Sequence, residues 1–597
     1  MLMRPILSLL IASNLIYARE KVDVLVFGGT PCGIGAAIGA AREGKSVVLV
    51  EPTGHLGGMV TSGLCHTDFR TYEGITGFYL TFTRAVEDYY RETYGPDSLQ
   101  VKQCWRGLQA EPRVNELIFE RMLASHARIQ IIKNARLGTV TLDENRIVEL
   151  GIVMSGKART WEPQVVIDAS YEGDLMAGAG VPFHVGREGK DKYNEGLAPE
   201  KEDSQLQAYN FRFIATDDPT NRVAIQKPAG YRREDFVEAL PFLKPGIIDK
   251  VFGYPGKCIV KAQLPPLPNR KYDLNDVSRG IIRMSMPGEN LAWPAGTEKE
   301  RADIFTRHLS YGAGILYFMQ NDDAVPEAMR EAAREFGWCK DEFVDNQHLP
   351  WQLYVREARR MIGMRVFTEH DSEHAPGDAR AVLHRDSIAI GDYGNNCHGT
   401  AHEGPRYGGR HTGEFYKTVP PYQIPYGTIV PAKVKNLLVP GAPSSSHVGF
   451  CALRLEPIWA AMGEAAGIAA AAVIEDHVSV QDVAVHKVQT RLHHHGAATA
   501  YVSDILPGHP IFEEVQALAL IGGLHGLHPK PEKPGQRGNN IEGQYYEAFP
   551  WHAFQPELPL DESLFLRWKA LMKSHVVDSY RTGMKRGEIF NAANRQK

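Results

Sequence analysis

The sequence has few cysteines for its length, and they are not paired. Seven cysteines are spread over 597 residues, and no two of them form a CxxC motif. This spacing excludes a dense disulfide framework and offers no zinc site of paired cysteines, so we predict no metal site. An excess of one charge is also lacking, because the net charge is only −5. That balance gives no electrostatic reason to expect nucleic acid or an anionic membrane as a partner.

Long hydrophobic runs are absent too. Residues 5–18 are mostly apolar but too few to span a bilayer, and no later stretch reaches that length without charges. The run fits the apolar region of a secretory signal peptide over residues 1–18, with Ile16 and Ala18 at the cleavage positions. We therefore predict an exported chain, periplasmic or extracellular. The alternative is a misassigned start or a loose N-terminal arm.

The sequence does contain a complete β–α–β pattern near its N-terminus. Residues 22–27 form a short β-branched run, followed by a glycine-rich turn at 28–33, an alanine-rich helical stretch at 34–43 and a second apolar run at 46–50. Glu51 closes that run. This order of strand, turn, helix, strand and acid is typical of a dinucleotide-binding Rossmann-like unit.

The turn residues have separate predicted roles. Gly28 permits the sharp turn, Gly33 allows the helix to pack closely on the strand, and the helix N-terminus faces a pyrophosphate. Glu51 lies 18 residues past Gly33, where an acid accepts hydrogen bonds from a ribose. Thr30 replaces the second glycine of the fingerprint, which predicts a less close approach of backbone to phosphate; a purely structural turn is the alternative. The predicted cofactor-binding residues here are Gly28, Gly29, Thr30, Pro31, Gly33 and Glu51.

Blocks further along the chain carry a family resemblance. The double glycine of Gly57-Gly58-Met59 follows the acidic strand, and other blocks stand at 166–175, 353–363, 391–394 and 436–467. In this order they resemble the bacterial FAD-dependent oxidoreductases of the glutathione-reductase-type superfamily, in its fumarate-reductase-like branch. The resemblance spans most of residues 22–475 and leaves the C-terminal part uncovered.

The resemblance implies FAD as the cofactor. In the proteins that the chain resembles, the double glycine lies along the flavin nucleotide, and a helix after the strand at 436–440 points its N-terminal end at the flavin. Small residues at 463–472 are expected to let backbone approach the cofactor, or to pack a core helix, or both. His55 lies at a different spacing from the covalent histidine of succinate dehydrogenases, so noncovalent FAD is favoured. The implied contacts are Gly57, Gly58, Met59, Gly441, Gly463, Ala466 and Gly467.

Two residues after the 436–440 strand are the catalytic candidates. His447 and Arg454 match family positions close in sequence to the flavin-facing helix. A histidine suits the base that oxidises an alcohol, whereas arginine is often the proton donor in the fumarate-reductase-like branch. The alternatives are a structural loop histidine and, for Arg454, an ion pair with Glu456 or another acid.

Four further residues are candidates for substrate binding, namely Asp68, Glu172, Arg356 and His398. Asp68 follows the double-glycine loop, and Glu172 ends an apolar strand at the edge where ligands gather in open α/β sheets. Arg356 and Arg359 are predicted to share a helix face, where they either clamp an anion or form ion pairs. His398 follows a glycine-rich loop and is expected to line the substrate pocket.

The predicted fold class is α/β. It comprises a Rossmann-like FAD-binding domain with an antiparallel β-meander, an inserted α+β substrate domain and a small helical C-terminal module. The FAD-binding domain is expected in two parts, 20–185 and 386–480. The inserted substrate or cap domain covers 186–385, and the C-terminal module covers 481–597. The meander is predicted from four short strands between residues 129 and 168.

These features predict an FAD-dependent oxidoreductase enzyme. Flavin N5 would exchange a hydride with a small polar substrate, assisted by His447, and the electron acceptor is unknown. By family analogy the substrate would be a sugar or a sugar-derived alcohol. One alternative is a reductase of an unsaturated acid with Arg454 as proton donor. The other is a surface or scaffold protein that keeps FAD structurally.

Overall fold

The structure is a computed structural model that describes residues 19–530, 550–573 and 576–590. The predicted signal peptide at 1–18 lies outside the described residues. The helices are α1 (Pro31–Arg42), α2 (Gly77–Tyr94), α3 (Leu99–Cys104), α4 (Pro112–Ala124), α5 (Asp174–Gly178), α6 (Lys190–Tyr193), α7 (Glu298–Asn321), α8 (Glu327–Arg334), α9 (His447–Leu453), α10 (Glu456–Asp476), α11 (Val485–His494), α12 (Phe512–Leu520) and α13 (Glu562–Met572).

The strands are β1 (Glu20–Phe27), β2 (Val47–Val50), β3 (Ile129–Ile132), β4 (Ala135–Asp143), β5 (Arg146–Met154), β6 (Lys157–Asp168), β7 (Phe183–His184), β8 (Phe213–Thr216), β9 (Arg222–Val223), β10 (Lys250–Gly253), β11 (Cys258–Ala262), β12 (Lys271–Asn275), β13 (Gly337–Cys339), β14 (Arg360–Met361), β15 (Ser387–Gly391), β16 (Asn395–Cys397), β17 (Ala401–Glu403), β18 (Arg410–Thr412), β19 (Phe415–Lys417), β20 (Tyr422–Pro425) and β21 (Leu437–Leu438). The mixture of parallel strands and covering helices confirms the predicted α/β class.

The first sheet carries the predicted β–α–β unit at its centre. Its order is β3-β2-β1-β6-β5-β4, and β21 pairs with the far end of β6. Strands β3, β2, β1, β6 and β21 run parallel, whereas β4, β5 and β6 form an antiparallel meander. The predicted four-strand meander is therefore wrong in its first member, because β3 pairs with β2 at the opposite edge. The apolar run at 129–132 suits a parallel edge strand as well as a meander strand.

Strand β6 belongs to both parts of this sheet. Residues 157–161 pair with β5, while residues 166–167 pair with β21. The carboxyl ends of β1, β2 and β6 therefore meet at one edge, where ligands bind in open parallel sheets. Helix α10 packs closely on α1 along one face of the sheet, because small residues fill both contact surfaces. Among the described helices, α10 alone is long and apolar enough to cross a membrane, but 89% of its apolar window is buried inside the protein.

A second, six-stranded sheet lies within the predicted 186–385 insert. Its order is β10-β11-β12-β8-β13-β9. One hydrophobic core runs from α1 and α10 into this sheet and helix α7, so the insert packs firmly on the nucleotide-binding part. Helices α12 and α13 belong to a separate cluster of buried residues between 498 and 590, which also includes Ile390 of β15.

Candidate cofactor and substrate site

The turn between β1 and α1 has the geometry that its glycines predict. Gly28 has φ +104°, a conformation that side chains rarely adopt. A Cβ on Gly33 would lie 1.8 Å from the carbonyl oxygen of Gly28, so only glycine permits this contact of helix and strand. Thr30 is the N-cap of α1: its hydroxyl accepts from the Gly33 N–H and donates to Ala169 O. The threonine at the second glycine position therefore ties the turn to the end of β6.

Glu51 lies beside the same turn. One carboxylate oxygen accepts the Gly29 N–H at 2.7 Å, and the other accepts the Thr53 N–H and hydroxyl at 2.8 Å. Burial raises the pKa of Glu51, and these hydrogen bonds partly oppose the rise. The oxygen that accepts from Gly29 takes only this one bond and keeps a second lone pair, so the predicted ribose contact stays compatible with these bonds.

The double glycine joins the turn to helix α10. The Gly57 N–H donates to Gly29 O at 2.7 Å. A Cβ on Gly58 would lie 2.3 Å from the Tyr171 hydroxyl, which accepts the Met59 N–H and donates to Glu456 at 2.8 Å. Burial raises the pKa of Glu456 to about 8. The β1–α1 turn, the double-glycine loop, the end of β6 and the start of α10 thus converge on one place.

The later glycines pack helix α10 on helix α1. A Cβ on Gly463 would lie 1.9 Å from Cys32 O, and one on Gly467 would lie 2.1 Å from Ala36 O. These glycines therefore let the backbones of α10 and α1 touch, which is the packing alternative of the prediction, while their approach to the cofactor stays a prediction. Ala466 is fully buried in the same helix. Gly441 brings the chain after β21 against the end of β6, with a Cβ position 2.4 Å from Ser170 O.

A cavity of about 400 Å³ opens beyond this convergence. The inserted sheet and the segment after β15 supply most of its wall. It contains three of the four predicted substrate residues, Asp68, Arg356 and His398. Its lining residues are Asp68, Arg212, Lys261, Asn275, Ser278, Arg279, Tyr354, Arg356, Tyr393, Asn396, Cys397, His398, Glu414, Phe415 and Tyr416. A larger cavity of about 730 Å³ lies at the amino ends of the parallel strands of the first sheet, away from the edge where ligands bind.

The cavity wall is rich in positive charge. Four of its side chains are cationic and two are acidic. Arg212 is neutralised by Asp273, and burial and Arg212 lower the pKa of Lys261. Arg356 is fully buried; one of its N–H groups reaches Ala208 O, while Nε and Nη2 have no hydrogen-bond partner among the described residues. Burial and the surrounding arginines lower the pKa of His398 well below its usual value, so this ring is neutral.

Arg356 is not on a helix. Residues 352–359 have no regular secondary structure, and the guanidinium of Arg356 lies over the Tyr354 ring at 4.2 Å. Arg359 points elsewhere and pairs with Asp174, so the two arginines do not share a face. The prediction of a helix is wrong here because contacts of this segment with residues 208–210 outweigh local helix propensity.

Glu172 does not line the cavity. Its carboxylate accepts from Trp293 Nε1 at 3.2 Å, and burial raises its pKa to about 7. Asp174 pairs with Arg301 and Arg359 instead of capping α5, whose N-cap is Gly173. The predicted substrate contact of Glu172 is therefore not available, because this strand end supports the insert.

The catalytic candidates stand behind the cavity wall. His447 is buried, with Nδ1 2.9 Å from Glu357 and Nε2 3.7 Å from Cys397 Sγ. Since both ring nitrogens are engaged, His447 reaches the cavity only through Cys397, which corrects the prediction of a direct base. Arg454 donates to the Tyr354 hydroxyl at 3.1 Å and to Asn396 O at 2.8 Å, not to Glu456.

The pair formed by Cys397 and His447 has strongly perturbed protonation. Burial alone would raise the pKa of Cys397, but hydrogen bonds from Cys451 and His447 lower it to about 6. Burial opposes charge on His447, yet the Glu357 carboxylate raises its pKa to about 10. Cys451 completes a group in which the three ligand atoms lie within 4.8 Å of one another. The sequence predicts no metal site, but the structure brings Cys397, His447 and Cys451 together as a buried Cys–His–Cys group.

Sequence reasoning missed several wall residues. Tyr354 lies inside the resemblance block at 353–363 and could have been singled out there. Lys261, Arg212 and Asn275 come from strands of the insert or from just before them. Their positions depend on the pairing of β8, β11 and β12, which no local pattern reveals.

The chain matches one family model over most of its length and solved structures over smaller parts. A model of the family described as FAD dependent oxidoreductase matches residues 23–492, most of the chain. The chain belongs to this family of FAD-dependent oxidoreductases. Membership makes it an oxidoreductase enzyme with FAD as its cofactor, whereas the finer assignment to the fumarate-reductase-like branch stays a prediction. No curated protein matches the chain.

Solved structures match this FAD-dependent oxidoreductase only in part. L-proline dehydrogenase from P. horikoshii is 20% identical, covering 25% of this chain and 22% of its own, with a TM-score of 0.16. The p-nitrophenol 4-monooxygenase PnpA from Pseudomonas putida DLL-E4 is 13% identical, covering 33% and 47%, with a TM-score of 0.21. The 3-ketosteroid-delta4-(5alpha)-dehydrogenase from Rhodococcus jostii RHA1 is 15% identical, covering 29% and 50%, with a TM-score of 0.19. The chain spans at most half of these proteins, and such values carry no argument about substrate.

The residues present fit FAD. The N-terminus of α1 has no acidic residue in its first turn, so its positive dipole end suits a pyrophosphate. Glu456 Oε2 and Trp459 Nε1 are buried polar atoms without a partner among the described residues, close to where the double glycine meets α10. Both ring nitrogens of His55 are engaged, by Thr61 O and Glu116. That engagement favours noncovalent FAD, which stays a prediction.

Proposed function

We propose that this enzyme exchanges electrons between FAD and a small substrate that carries a carboxylate. The observation that carries the proposal is Arg356, a fully buried guanidinium on the cavity wall with two N–H groups that lack a partner among the described residues. A buried N–H group without a hydrogen-bond partner costs free energy of folding. Charge-assisted hydrogen bonds from the arginine to a carboxylate would satisfy these groups. An acid therefore fits this cavity better than a neutral molecule.

The charge around the cavity supports the same substrate class. Arg212 and Arg283 already have acidic partners, in Asp273 and in Asp276 and Glu414. Arg356 has none, so an anionic ligand would supply the missing charge. A neutral sugar alcohol, expected from family analogy, would leave this guanidinium unpaired. We therefore favour an acid, either an unsaturated one or one that carries a hydroxyl group.

Proton transfer is assigned to the wall residue Tyr354. Tyr354 lines the cavity, and its hydroxyl accepts a hydrogen bond from Arg454 at 3.1 Å. Burial raises the pKa of Tyr354, so the phenol stays protonated and can donate. Arg454, expected as the donor itself, would act through this hydroxyl. Bound FAD supplies the two-electron chemistry.

The expected cap role of the insert is part of the proposal. Arg212, Lys261, Asn275 and Arg356 all come from residues 186–385 and form one side of the cavity. Export of the chain is proposed as well, on the apolar run at 5–18 alone. Sequencing the N-terminus of the protein from the periplasm or medium of producing cells would test export. A scaffold role is not retained, because family membership makes the chain an enzyme.

The test is an anaerobic titration of the FAD-loaded protein. Saturated and hydroxy acids are added to the oxidised form, and unsaturated acids to the dithionite-reduced form, each beside its neutral amide. We expect flavin absorbance to change with an acid and not with its amide. Equal responses to neutral polyols and acids would reject the proposal. The direction that responds identifies the enzyme as a dehydrogenase or a reductase.

A further inference from the structure

Three buried side chains meet directly behind the cavity. Cys397 ends β16 and lines the cavity, while His447 and Cys451 lie one turn apart on α9. Their ligand atoms all lie within 4.8 Å of one another, and all three side chains are buried. The mechanism above uses none of them. Two thiols and an imidazole form the donor set that zinc prefers.

The spacing fits a bound ion. A tetrahedral zinc with Zn–S of about 2.3 Å and Zn–N of about 2.0–2.1 Å requires a separation of about 3.6 Å between sulfur and nitrogen. The observed distance from Cys397 Sγ to His447 Nε2 is 3.7 Å. Binding therefore needs no movement of backbone between these two ligands.

The histidine is held as a metal ligand would be. Glu357 binds Nδ1 at 2.9–3.0 Å, which leaves Nε2 directed at Cys397. Glu357 is itself held by Arg360, which also binds Glu188 at 2.9 Å. Carboxylates on the outer nitrogen of a ligating histidine fix its tautomer and raise its basicity in zinc sites.

A second cluster of possible metal ligands, made of carboxylates, lies elsewhere in the described chain and differs from this one. Glu111, Asp341 and Glu342 also cluster within ligand distance. The Lys271 ammonium already occupies their centre, 2.5–2.9 Å from all three. Because Lys271 already supplies the cation there, that acidic group needs no metal ion.

We propose that Cys397, His447 and Cys451 bind one zinc ion, with a fourth position on the cavity side for water or a substrate oxygen. On binding, Zn²⁺ displaces two protons to solvent, one from Cys451 and one shared by Cys397 and His447, and the Zn(Cys)₂His centre is neutral. Three protein ligands and an open position are the pattern of catalytic zinc. Zinc has no redox chemistry of its own, so it would hold and polarise a substrate oxygen without taking electrons. The site does not depend on the substrate class proposed above.

The test is metal analysis of the FAD-loaded full chain, purified with reductant and then equilibrated with ZnCl₂ and desalted. We expect about one zinc per chain, lost in Cys397→Ser and in Cys451→Ser. Cys104→Ser is the matched control, because Cys104 is equally buried in a helix but far from the site. Flavin content and circular dichroism report folding of each variant.

X-ray absorption at the zinc edge of the unsubstituted protein keeps the test independent of variant folding. We expect two sulfur and one or two nitrogen or oxygen neighbours at zinc distances. Failure to take up zinc, or a shell without sulfur, would overturn the proposal. So would zinc that both cysteine variants retain, which would place it elsewhere, for example on His493–His495. A substrate that proves neutral would leave this result unchanged, so the two proposals fail separately.

Discussion

Replacing Arg356 with glutamine separates binding from stability. Burial, with Arg454 nearby, lowers the pKa of Arg356 to about 10. This lowering corresponds to a cost of roughly 3 kcal/mol for keeping the cation buried. Because the folded-state pKa is the lower one, the penalty is fully present below pH 10 and disappears only above it. The neutral amide removes the penalty and loses one bond to Ala208 O and the contact with Tyr354.

Arg356→Gln should therefore leave the melting temperature unchanged or raise it slightly. The substitution should greatly weaken the binding of an anionic ligand. Two charge-assisted hydrogen bonds, each worth about 1.5–3 kcal/mol, disappear, and a loss of about 3 kcal/mol is a factor of about 100 in affinity. The assay is the thermal shift of FAD-loaded protein across concentrations of fumarate and succinate, with their diamides as neutral probes.

Arg359→Gln is the matched control. Arg359 lies three residues away and is already paired with Asp174, outside the cavity. We expect it to lower the melting temperature and to leave anion affinity unchanged. If Arg356→Gln behaved like Arg359→Gln, destabilised and with undiminished anion binding, Arg356 would be a structural residue and the substrate argument would fail.

Three further predictions concern other parts of the site. Gly463→Ala should destabilise the protein by about 2 kcal/mol in both FAD-free and FAD-loaded forms, because its methyl would overlap α1; Gly256→Ala, where nothing lies within 4 Å, is the control. A melting change confined to the FAD-loaded form would instead indicate cofactor contact. Glu456→Gln should raise the melting temperature increasingly between pH 5 and pH 8.5: the raised folded-state pKa of about 8 favours the fold below the ordinary carboxyl pKa, and this advantage is lost as pH rises. A difference independent of pH would contradict this. Tyr354→Phe should lower kcat about 100-fold with little change in acid affinity, and unchanged turnover would remove Tyr354 as the proton donor.

Local patterns were enough for the nucleotide-binding centre. The β-branched run at 22–27, the glycines of the turn and Glu51 act on near neighbours in sequence, so their geometry follows from local rules. The helix expected after the strand at 436–440 is present as α10. The partner of Gly463 could not be predicted in this way, since its contact with Cys32 O depends on packing of two helices far apart in the chain.

The cavity depended on long-range pairing. Lys261 and Asn275 reach it through β11 and β12 of the second sheet, whose mixed, proline-rich sequence gave no pattern to follow. Cys397 and Cys451 are separated by 54 residues, so no CxxC-type spacing announced their meeting. Arg356 lies on the cavity wall, but a segment without regular secondary structure, and not the predicted helix face, brings it there.

The most direct measurement compares kcat/KM for the best acid with that for its neutral amide, in the unsubstituted enzyme and in Arg356→Gln. Our account predicts a preference for the acid of about 100-fold or more, mostly lost in the variant. Equal kcat/KM for acid and amide in the unsubstituted enzyme, or a preference that Arg356→Gln retains in full, would contradict it.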